Sequence, residues 1–325
     1  MTGRGLLHGG ALDAAVARYG GARADWLDLS TGINPVATPH APPPSGSWTR
    51  LPEAGAERAL EEAARRAYGV PDALAVLPVP GTQAALQMLP RLYPSCDVAV
   101  VSPTYTEHAR CWALAAHRVR AVPEPTDADV LVACNPNNPD GRDRDPRAVV
   151  DRGRVLTVVD EAFRDATPER SAVPLAGERT LVLKSLGKFH GLAGLRLGHA
   201  IGPRALTGPL ETALGPWAVS GPALHVGREA LAADQDATAR GLKDRAERLA
   251  GMLRAMGVPI VGRTDFFALV RAERAERVHD RLAERHVWTR RFDDHPHWLR
   301  IGLPTDDGFD RLAAALREAL TAADP

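Results

Sequence analysis

Short runs of apolar residues alternate with segments of helical spacing through the middle of the chain. Six of these runs predict strands, at Leu74–Leu77, Val98–Val101, Val130–Ala133, Val155–Val159, Leu181–Leu183 and His199–Ile201. Several are almost continuously apolar, which is typical of strands covered on both faces. Helical spacing intervenes, notably over Thr82–Leu92 and Tyr105–His117. The alternation predicts an α/β fold with a mostly parallel sheet, in which ligands bind beyond the carboxyl ends of the strands.

The regions on either side of this alternation have different patterns. A short N-terminal arm with a helix near 11–19 is followed by a proline-rich connection and a helix over 53–68. From residue 223 the pattern is that of an α+β unit, with helices at 223–256, 274–285 and 307–322, an apolar run at Phe266–Val270 and a strand at Trp298–Gly302. We therefore predict an N-terminal arm, 1–48, that belongs to a small domain, a large domain, 49–222, and a small C-terminal domain, 223–325.

Composition narrows the function classes. The 325 residues include 40 Lys+Arg and 40 Asp+Glu, so the formal net charge is zero and a general electrostatic role on nucleic acid or membranes is disfavoured. No apolar run has the length of a transmembrane helix, and the N-terminus lacks the charged-then-apolar order of a secretory signal. Three scattered cysteines, Cys96, Cys111 and Cys134, have no zinc-binding spacing, so we expect a cytoplasmic protein without a metal site.

Five of the predicted strands are followed by residues that could carry chemistry. The segments are Pro80-Gly81-Thr82-Gln83, Ser102-Pro103-Thr104-Tyr105, Asn135-Pro136-Asn137-Asn138-Pro139, Asp160-Glu161-Ala162-Phe163 and Ser185 through Lys188. Each has an ordinary explanation by itself, as a helix start, a core tyrosine or a turn. At one sheet edge, however, they would supply an anion cradle, an aromatic face, an amide, a carboxylate and an amine. These groups match the needs of pyridoxal phosphate, which binds through an amine to its aldehyde, a carboxylate to its ring nitrogen and donors to its phosphate.

The order of these motifs resembles the aspartate-aminotransferase-like superfamily of pyridoxal-phosphate enzymes, fold type I. The resemblance rests on Asn-Pro-Asn-Asn-Pro-x-Gly, Asp-Glu-Ala-aromatic and Ser-x-x-Lys-x-x-Gly-Leu-x-Gly-x-Arg-x-Gly, with a spacing of eight from Lys188 to Arg196. It implies that Lys188 forms the Schiff base with the cofactor. The other two lysines of the chain compete poorly, because Lys184 lies in an apolar strand and Lys243 in a charged helix.

The same resemblance implies a role for each of the other motif residues. They are Asp160 on the ring nitrogen, Asn138 on the ring oxygen and the substrate, Tyr105 stacked on the ring, Gly81, Thr82, Ser185 and Arg196 on the cofactor phosphate, and Arg300 on the substrate carboxylate. Arginine suits that last role because its guanidinium can bind a carboxylate through two parallel hydrogen bonds. Lys188, Asp160 and Tyr105 are the expected catalytic residues.

Further segments resemble one branch of that superfamily, the threonine-phosphate decarboxylases of cobalamin biosynthesis. They are His8-Gly9-Gly10, Leu77–Gln83, Ser102–His108, Asn138–Arg142, Gly215–Pro222 and Arg300–Pro304. The resemblance implies that a homodimer decarboxylates L-threonine O-3-phosphate to (R)-1-amino-2-propanol O-2-phosphate. His8, Gly9 and Asn34 are the candidates for binding the substrate phosphate, since glycine lets backbone N–H groups approach an anion.

Two departures and three alternatives qualify this interpretation. Leu51 stands where many relatives have a tyrosine that reaches the cofactor phosphate of the neighbouring subunit, and Gly187 replaces a serine often found before the lysine. An aminotransferase of the histidinol-phosphate type would share nearly every cofactor contact. A decarboxylase of another phosphorylated or phosphonate amino acid is a second alternative. A non-catalytic protein with this fold is a third, which the presence of Lys188 and Asp160 disfavours.

Overall fold

The computed structural model describes residues 9–321. Its strands are β1 Leu27–Asp28, β2 Ala75–Val79, β3 Asp97–Val101, β4 Arg118–Val122, β5 Ala128–Cys134, β6 Gly153–Asp160, β7 Thr180–Ser185, β8 Gly198–Gly202, β9 Ile260–Thr264, β10 Phe267–Arg271, β11 Val287–Trp288, β12 Arg290–Arg291 and β13 Trp298–Gly302. Its α-helices are α1 Leu12–Tyr19, α2 Gly46–Thr49, α3 Ala54–Tyr68, α4 Thr82–Met88, α5 Glu107–Leu114, α6 Leu186–Phe189, α7 Arg204–Leu214, α8 Gly221–Ala232, α9 Gln235–Ala255, α10 Ala275–Glu284 and α11 Gly308–Thr321. Across these residues, no helix combines the length and the hydropathy that a bilayer crossing requires.

The larger of two compact units comprises residues 37–138 and 142–239. Among its described residues, seven strands form one sheet in the order β2-β8-β7-β6-β5-β3-β4. Strands β4, β3, β5, β6 and β7 are parallel to one another, whereas β8 is antiparallel to both β7 and β2. The predicted α/β fold with a mostly parallel sheet is confirmed.

Helices cover both faces of this sheet, because successive side chains of each buried strand point to opposite sides. On one face, Val159 packs in a cluster with Leu60 of α3 and Leu224 of α8. On the other face, Val158 packs in a cluster with Trp112 of α5. Full burial of such side chains contributes about 1.5–3 kcal/mol each. With both faces covered, the edge at the carboxyl ends of the parallel strands is left for a ligand.

The smaller unit comprises residues 1–36, 139–141 and 240–325, as far as they are described. Strands β12, β13, β10 and β9 form an antiparallel sheet in that order, and β1 pairs with β11 in parallel. Trp26 and Trp288 pack with Ala15 of α1 and Ala283 of α10 in its core. The amphipathic α10 buries Val278 and Leu282 along the same face.

The boundaries of the two units differ from those that the sequence pattern predicts. Sequence analysis placed them after residues 48 and 222, whereas the compact units change over after residues 36 and 239. The second difference has a physical reason. Helix α8 buries Leu224 and Leu231 in the same apolar cluster as Leu60 of α3, so this helix belongs to the larger unit.

Candidate active site

The predicted cofactor residues of the larger unit lie at one edge of its sheet. Asp160 ends β6 and Ser185 ends β7, so both stand at the carboxyl edge of parallel strands. Because β8 is antiparallel to β7, its first residue, Gly198, lies opposite Ser185, and Arg196 is two residues before this strand end. Val79, at the carboxyl end of β2, pairs with this first residue of β8, which places Gly81 close by. The structure therefore brings these residues together at the sheet edge where the sequence analysis expected them.

Gly81, Thr82 and Arg196 form a compact cradle. Gly81 has φ +76°, which favours glycine, and a Cβ built there would lie 2.9 Å from Nη2 of Arg196, so a side chain at this position would displace the guanidinium. A Cβ on Gly198 would lie 3.2 Å from the backbone nitrogen of Thr82. Arg196 has the left-handed φ of +54°, and its Nη1 donates to the Ala193 carbonyl at 3.2 Å. A cation, a backbone N–H and a hydroxyl in this arrangement suit a phosphate group.

The Asp160 carboxylate is buried and held by two neighbours. Its Oδ1 accepts from the Ala162 backbone at 3.0 Å, and its Oδ2 lies 3.2 Å from Nε2 of His108, which is fully buried. The sequence analysis gave no role to His108, which the structure places beside Asp160, although the quoted segment Ser102–His108 contains it. The available signal was its position three residues after Tyr105, across the turn that leads into α5.

The environment of this carboxylate also includes a thiol. Polar atoms of His108, Cys134 and Asp160 lie within 4.8 Å of one another, a set that could hold a metal ion. Cys134 is opposite Asp160 in the β5–β6 register, which explains their proximity. The prediction that the protein has no metal site stays a prediction.

Tyr105 follows β3 and is half-buried beside the carboxylate. Its hydroxyl donates to Oε1 of Gln83 at 3.2 Å, and its ring meets the His108 ring edge-on, with 5.7 Å between centroids. Burial, followed by the charges of Glu107 and Asp160, raises the pKa of Tyr105 to about 12. The tyrosine therefore stays protonated at neutral pH and offers an aromatic face with a hydroxyl donor.

The asparagines of the β5 loop divide into two classes. Asn135 exchanges hydrogen bonds with the backbone of Arg144, at 3.1 and 2.9 Å. Asn137 donates to the Pro103 carbonyl at 2.7 Å and accepts from the Thr104 hydroxyl at 2.8 Å, which ties this loop to the one carrying Tyr105. These two side chains hold the loop in shape. Asn138, the predicted ring-oxygen donor, is half-buried in the loop that they fix.

The three lysines have distinct surroundings. Lys188 lies in α6, half-buried, with its Nζ 5.8 Å from the centroid of the Phe163 ring. Lys184 is 1% exposed and forms ion pairs with two carboxylates. Lys243 is exposed on α9 in the smaller unit. Lys188 is therefore the lysine whose surroundings suit a covalent bond to an aldehyde.

Gly187, just before this lysine, has a steric explanation. A Cβ there would lie 3.1 Å from the Ala193 Cα, tighter than nearly all Cβ contacts, so a serine would require this loop to shift. The Ser185 hydroxyl accepts from the Gly187 backbone at 3.3 Å and caps α6. Glycine thus fits the turn that follows β7.

The smaller unit contains a buried arginine beside a half-buried one. Arg300 of β13 is 6% exposed, donates to the Ser30 carbonyl at 2.7 Å and lies directly opposite Arg290 of β12. Burial, followed by the charge of Arg290, lowers the pKa of Arg300 to about 9. Burial also lowers the pKa of Arg290. Two neighbouring guanidinium groups that are shielded from water favour an anionic ligand. Its negative charge would offset both the loss of hydration and the repulsion between the two arginines.

Arg290 was not identified by the sequence analysis, because its relation to Arg300 appears only in the strand register. The other predicted substrate residues in this unit are Gly9 and Asn34. A Cβ on Gly9 would lie 2.3 Å from the Ser30 carbonyl oxygen, so glycine is required there. Asn34 is buried and accepts from the Val36 backbone at 3.0 Å. His8 lies outside the described residues.

The groups at the sheet edge of the larger unit fit pyridoxal phosphate. Lys188 supplies an amine, Asp160 a buried carboxylate, and Tyr105 a ring face. The cradle that a Cβ on Gly81 would fill supplies the donors for a phosphate. Each chemical group of the cofactor thus has a matching residue within this unit.

Comparisons with known proteins agree with this fit. A family model described as aminotransferase class I and II matches residues 24–316. A threonine-phosphate decarboxylase of a Sinorhizobium species is 42% identical and the alignment covers 96% of this chain and 97% of the relative. A threonine-phosphate decarboxylase of Pseudomonas aeruginosa is 43% identical with the same coverage. A histidinol-phosphate aminotransferase of Caldanaerobacter subterraneus is 28% identical over 59% of this chain and 57% of its own.

A solved structure shows the same fold. Histidinol-phosphate aminotransferase from Sinorhizobium meliloti, in complex with pyridoxal-5'-phosphate, superposes with a TM-score of 0.78 at 18% identity, covering 95% of this chain and 94% of that one. The family model spans most of the chain, and two relatives exceed 40% identity over nearly its whole length. The chain belongs to the aminotransferase class I and II family.

Proposed function

We propose that this protein is a pyridoxal-phosphate-dependent decarboxylase. It converts L-threonine O-3-phosphate to (R)-1-amino-2-propanol O-2-phosphate in the biosynthesis of cobalamin. The observation that carries the proposal is similarity over almost the full length to two threonine-phosphate decarboxylases, combined with a complete set of cofactor-binding groups at one sheet edge. The histidinol-phosphate aminotransferase is more distant and matches little more than half of the chain.

The residues of the larger unit divide the work. Pyridoxal phosphate, when bound, supplies an electron sink for the pair released from the bond broken at Cα. The Lys188 amine would hold the cofactor through its aldehyde and would deliver a proton to the substrate Cα. The Asp160 carboxylate, beside His108, keeps the ring nitrogen protonated. Tyr105 and Asn138 fix the ring, and Gly81, Thr82, Ser185 and Arg196 hold the phosphate.

The substrate has two anionic groups, and the neighbouring guanidinium groups of Arg290 and Arg300 in the smaller unit favour such a ligand. Arg300 is the proposed partner of the α-carboxylate, and Asn138 also contacts the substrate. We add Arg290 to the proposed phosphate ligands His8, Gly9 and Asn34, since it lies opposite Arg300 in the register. Decarboxylation requires the bond from Cα to the carboxylate to stand perpendicular to the cofactor ring. Transamination requires the Cα–H bond to stand there instead.

Product analysis tests this function. Purified protein with cofactor and L-threonine O-3-phosphate should release carbon dioxide without any keto-acid co-substrate. Transfer of the amino group to 2-oxoglutarate would instead establish the aminotransferase alternative. Carbon dioxide from a different phosphorylated or phosphonate amino acid, with none from threonine phosphate, would identify a related decarboxylase.

The Lys188→Ala variant is the matched control for this reaction. It should lose the visible absorption band of a lysine-bound cofactor and all turnover, because Lys184 is held in ion pairs with two buried carboxylates and Lys243 is exposed in the smaller unit. Absorbance spectra before and after borohydride reduction, with mass spectrometry of the labelled peptide, measure this. A label on another side chain would overturn the assignment.

We propose a homodimer for the assembly. The larger unit exposes Trp48, Leu51 and Trp217, at 68%, 65% and 53%. Leu51 lines a groove of about 450 Å³ and Trp217 lines one of about 570 Å³, and the two grooves share Leu224 of α8 in their walls. Trp48 is the neighbour in sequence of Ser47, which lines the groove of Leu51. Exposed aromatic and aliphatic side chains around a concave surface favour association, and closed two-fold pairs are the commonest soluble assembly.

We also propose a cytoplasmic location. All three cysteines of the chain, Cys96, Cys111 and Cys134, are free thiols. Such usage suits a reducing compartment.

A further inference from the structure

Lys184 is a buried charge that the proposed chemistry leaves unused. Its Nζ lies 2.8 Å from Oε2 of Glu161 and 3.0 Å from Oδ1 of Asp165, and its side chain is 2% exposed. Burial alone would lower the pKa of Lys184, but the two carboxylates outweigh burial and raise it. Lys184 therefore remains a cation that joins two acidic side chains. We refer to Lys184, Glu161 and Asp165 as the lysine triad.

The lysine triad lies immediately beside the catalytic groups in sequence. Glu161 follows Asp160, and Lys184 is four residues before Lys188. The last register pair of β6 and β7 is Asp160 with Leu183, and the Glu161 backbone donates to the Leu183 carbonyl at 2.9 Å. The triad thus links the two strands at the point where their backbone ladder ends.

The triad occupies the sheet face opposite Asp160. Val159 and Val182 belong to one apolar cluster, and alternation along the strands places Glu161 and Lys184 on that same face. Leu183 belongs to the other cluster, whose face Asp160 therefore shares. The triad acts on the cofactor side of the sheet only through the strands.

Two hydrogen-bond donors outside the lysine triad hold the Glu161 carboxylate in place. Its Oε2 accepts from the Ser171 hydroxyl and its Oε1 accepts from the Ala172 backbone, both at 2.6 Å. A lysine bonded to a carboxylate held in this way has little freedom. A buried ion pair is commonly no more stabilising than well-packed apolar side chains, so stability alone gives no reason for the charges.

We infer that Lys184 is a positioning residue, whose two ion pairs fix the end of β6 against the end of β7 and thereby set the separation of the Asp160 carboxylate from the Lys188 amine. The inference rests on the cofactor of the proposed function and not on its substrate. A cofactor carbon bound to Lys188 and a ring nitrogen facing Asp160 are parts of one rigid molecule. A change in that separation therefore impairs covalent attachment itself.

The principal variant combines Lys184→Met with Asp165→Asn. It removes one positive and one negative charge, so the net charge is unchanged, and Glu161 keeps its Ser171 and Ala172 donors. Lys184→Arg is the conservative variant, which retains the cation. Thr180→Val is the control for lost stability, because this buried residue bonds to Asp151 at the opposite end of β7.

Two measurements distinguish positioning from stability. The first is the rate at which added pyridoxal phosphate forms a borohydride-reducible bond with Lys188 in the cofactor-free protein. The second is hydrogen–deuterium exchange of the backbone at 160–165 and 185–190. The double variant should form the bond more slowly, on the order of tenfold, and exchange faster in both segments. Lys184→Arg should lie closer to the wild type, and Thr180→Val should lower the melting temperature while leaving both measurements unchanged.

The inference is overturned if the double variant forms the bond at the wild-type rate, or if Thr180→Val slows it equally. Should the double variant not fold, Glu161→Gln decides alone, since it keeps the pair of Lys184 with Asp165. A slower bond then supports positioning, and an unchanged rate contradicts it. Because the bond forms without substrate, a protein inactive on threonine phosphate would overturn the proposed reaction while this test stays valid.

Discussion

At the scale of single residues, the Asp160 carboxylate is defined by what surrounds it. His108 is fully buried, and its Nε2 lies 3.2 Å from Oδ2 of Asp160. An imidazole this close can orient the carboxylate once the ring presents an N–H to it. We therefore expect the role proposed for Asp160, keeping a ring nitrogen protonated, to depend on His108 as well.

Replacing His108 with Asn should lower kcat on the order of tenfold to a hundredfold, since Asp160 would lose its orientation. The measurement is steady-state turnover together with the cofactor dissociation constant. His117→Asn is the control, because His117 is also buried but binds the Pro90 carbonyl at 2.7 Å. Equal losses of activity in the two variants would mean that His108 serves only stability.

Residue-level prediction succeeded where one local rule sufficed. Asp160 and Ser185 each end a parallel strand, so the apolar runs alone located them at the same edge. His108 and Arg290 could not be assigned in this way. His108 lies beside Asp160, and Arg290 of β12 lies opposite Arg300 of β13. Both proximities arise only in the folded structure.

At the scale of elements, the turn between β2 and α4 fixes the phosphate cradle. Gly81 has φ +76° and ψ +148°, a combination essentially confined to glycine. A Cβ there would also meet the Arg196 guanidinium at 2.9 Å. Two separate effects are therefore expected from one methyl group, a strained backbone and a displaced cation.

Gly81→Ala should weaken cofactor binding by about tenfold or more, beyond a backbone strain of about 1–3 kcal/mol. Gly20→Ala is the control. Gly20 has a comparable conformation, φ +80° and ψ −164°, at the end of α1, with nothing within 4 Å of a built Cβ. Cofactor titration and thermal unfolding separate the effects. If both variants retain wild-type affinity, Gly81 does not shape the cradle.

Elements without a clear pattern escaped the sequence analysis. Strand β4, Arg118–Val122, lies at the sheet edge and buries only Val122, so it has no apolar run to detect. Helix α7 contains Gly208 and Pro209, both unfavourable inside a helix, and is held by packing of Leu210 in the core. The strongly periodic segments, such as α3 and β13, were located to within a residue or two. Tertiary contacts decided the remaining elements.

At the scale of the whole molecule, stability should depend on pH through buried histidines. Burial, with a smaller effect of His190, lowers the pKa of His199 to about 3, from an ordinary value of about 6.5. Between about pH 3 and pH 6.5, His199 is therefore neutral in the folded protein but protonated in the unfolded chain. Stability is unaffected above about pH 6.5 and falls as the pH drops below it, by about 1.4 kcal/mol per pH unit for one such group.

His199→Phe should remove this part of the acid sensitivity. Neither ring nitrogen of His199 has a hydrogen-bond partner among the described residues, so an apolar ring of similar size leaves no new polar atom unsatisfied. Urea unfolding at pH 7.5 and 5 measures the effect. The variant should lose less stability than the wild type between the two values. An equal loss would show that His199 does not contribute.

The proposed dimer is a second property of the whole molecule, and it concerns the exposed apolar face of the larger unit. Leu51→Glu places a charge in the wall of the groove of about 450 Å³, which shares Leu224 with the groove lined by Trp217. Light scattering should give a wild-type mass of about twice 34.8 kDa and a lower mass for the variant at equal concentration.

Leu114→Glu is the control, because Leu114 is equally apolar and 74% exposed but lies at the end of α5, outside both grooves. The fold should survive both substitutions, since charge at an exposed position costs little. A monomeric wild type, or dissociation caused by Leu114→Glu alone, would place the interface elsewhere.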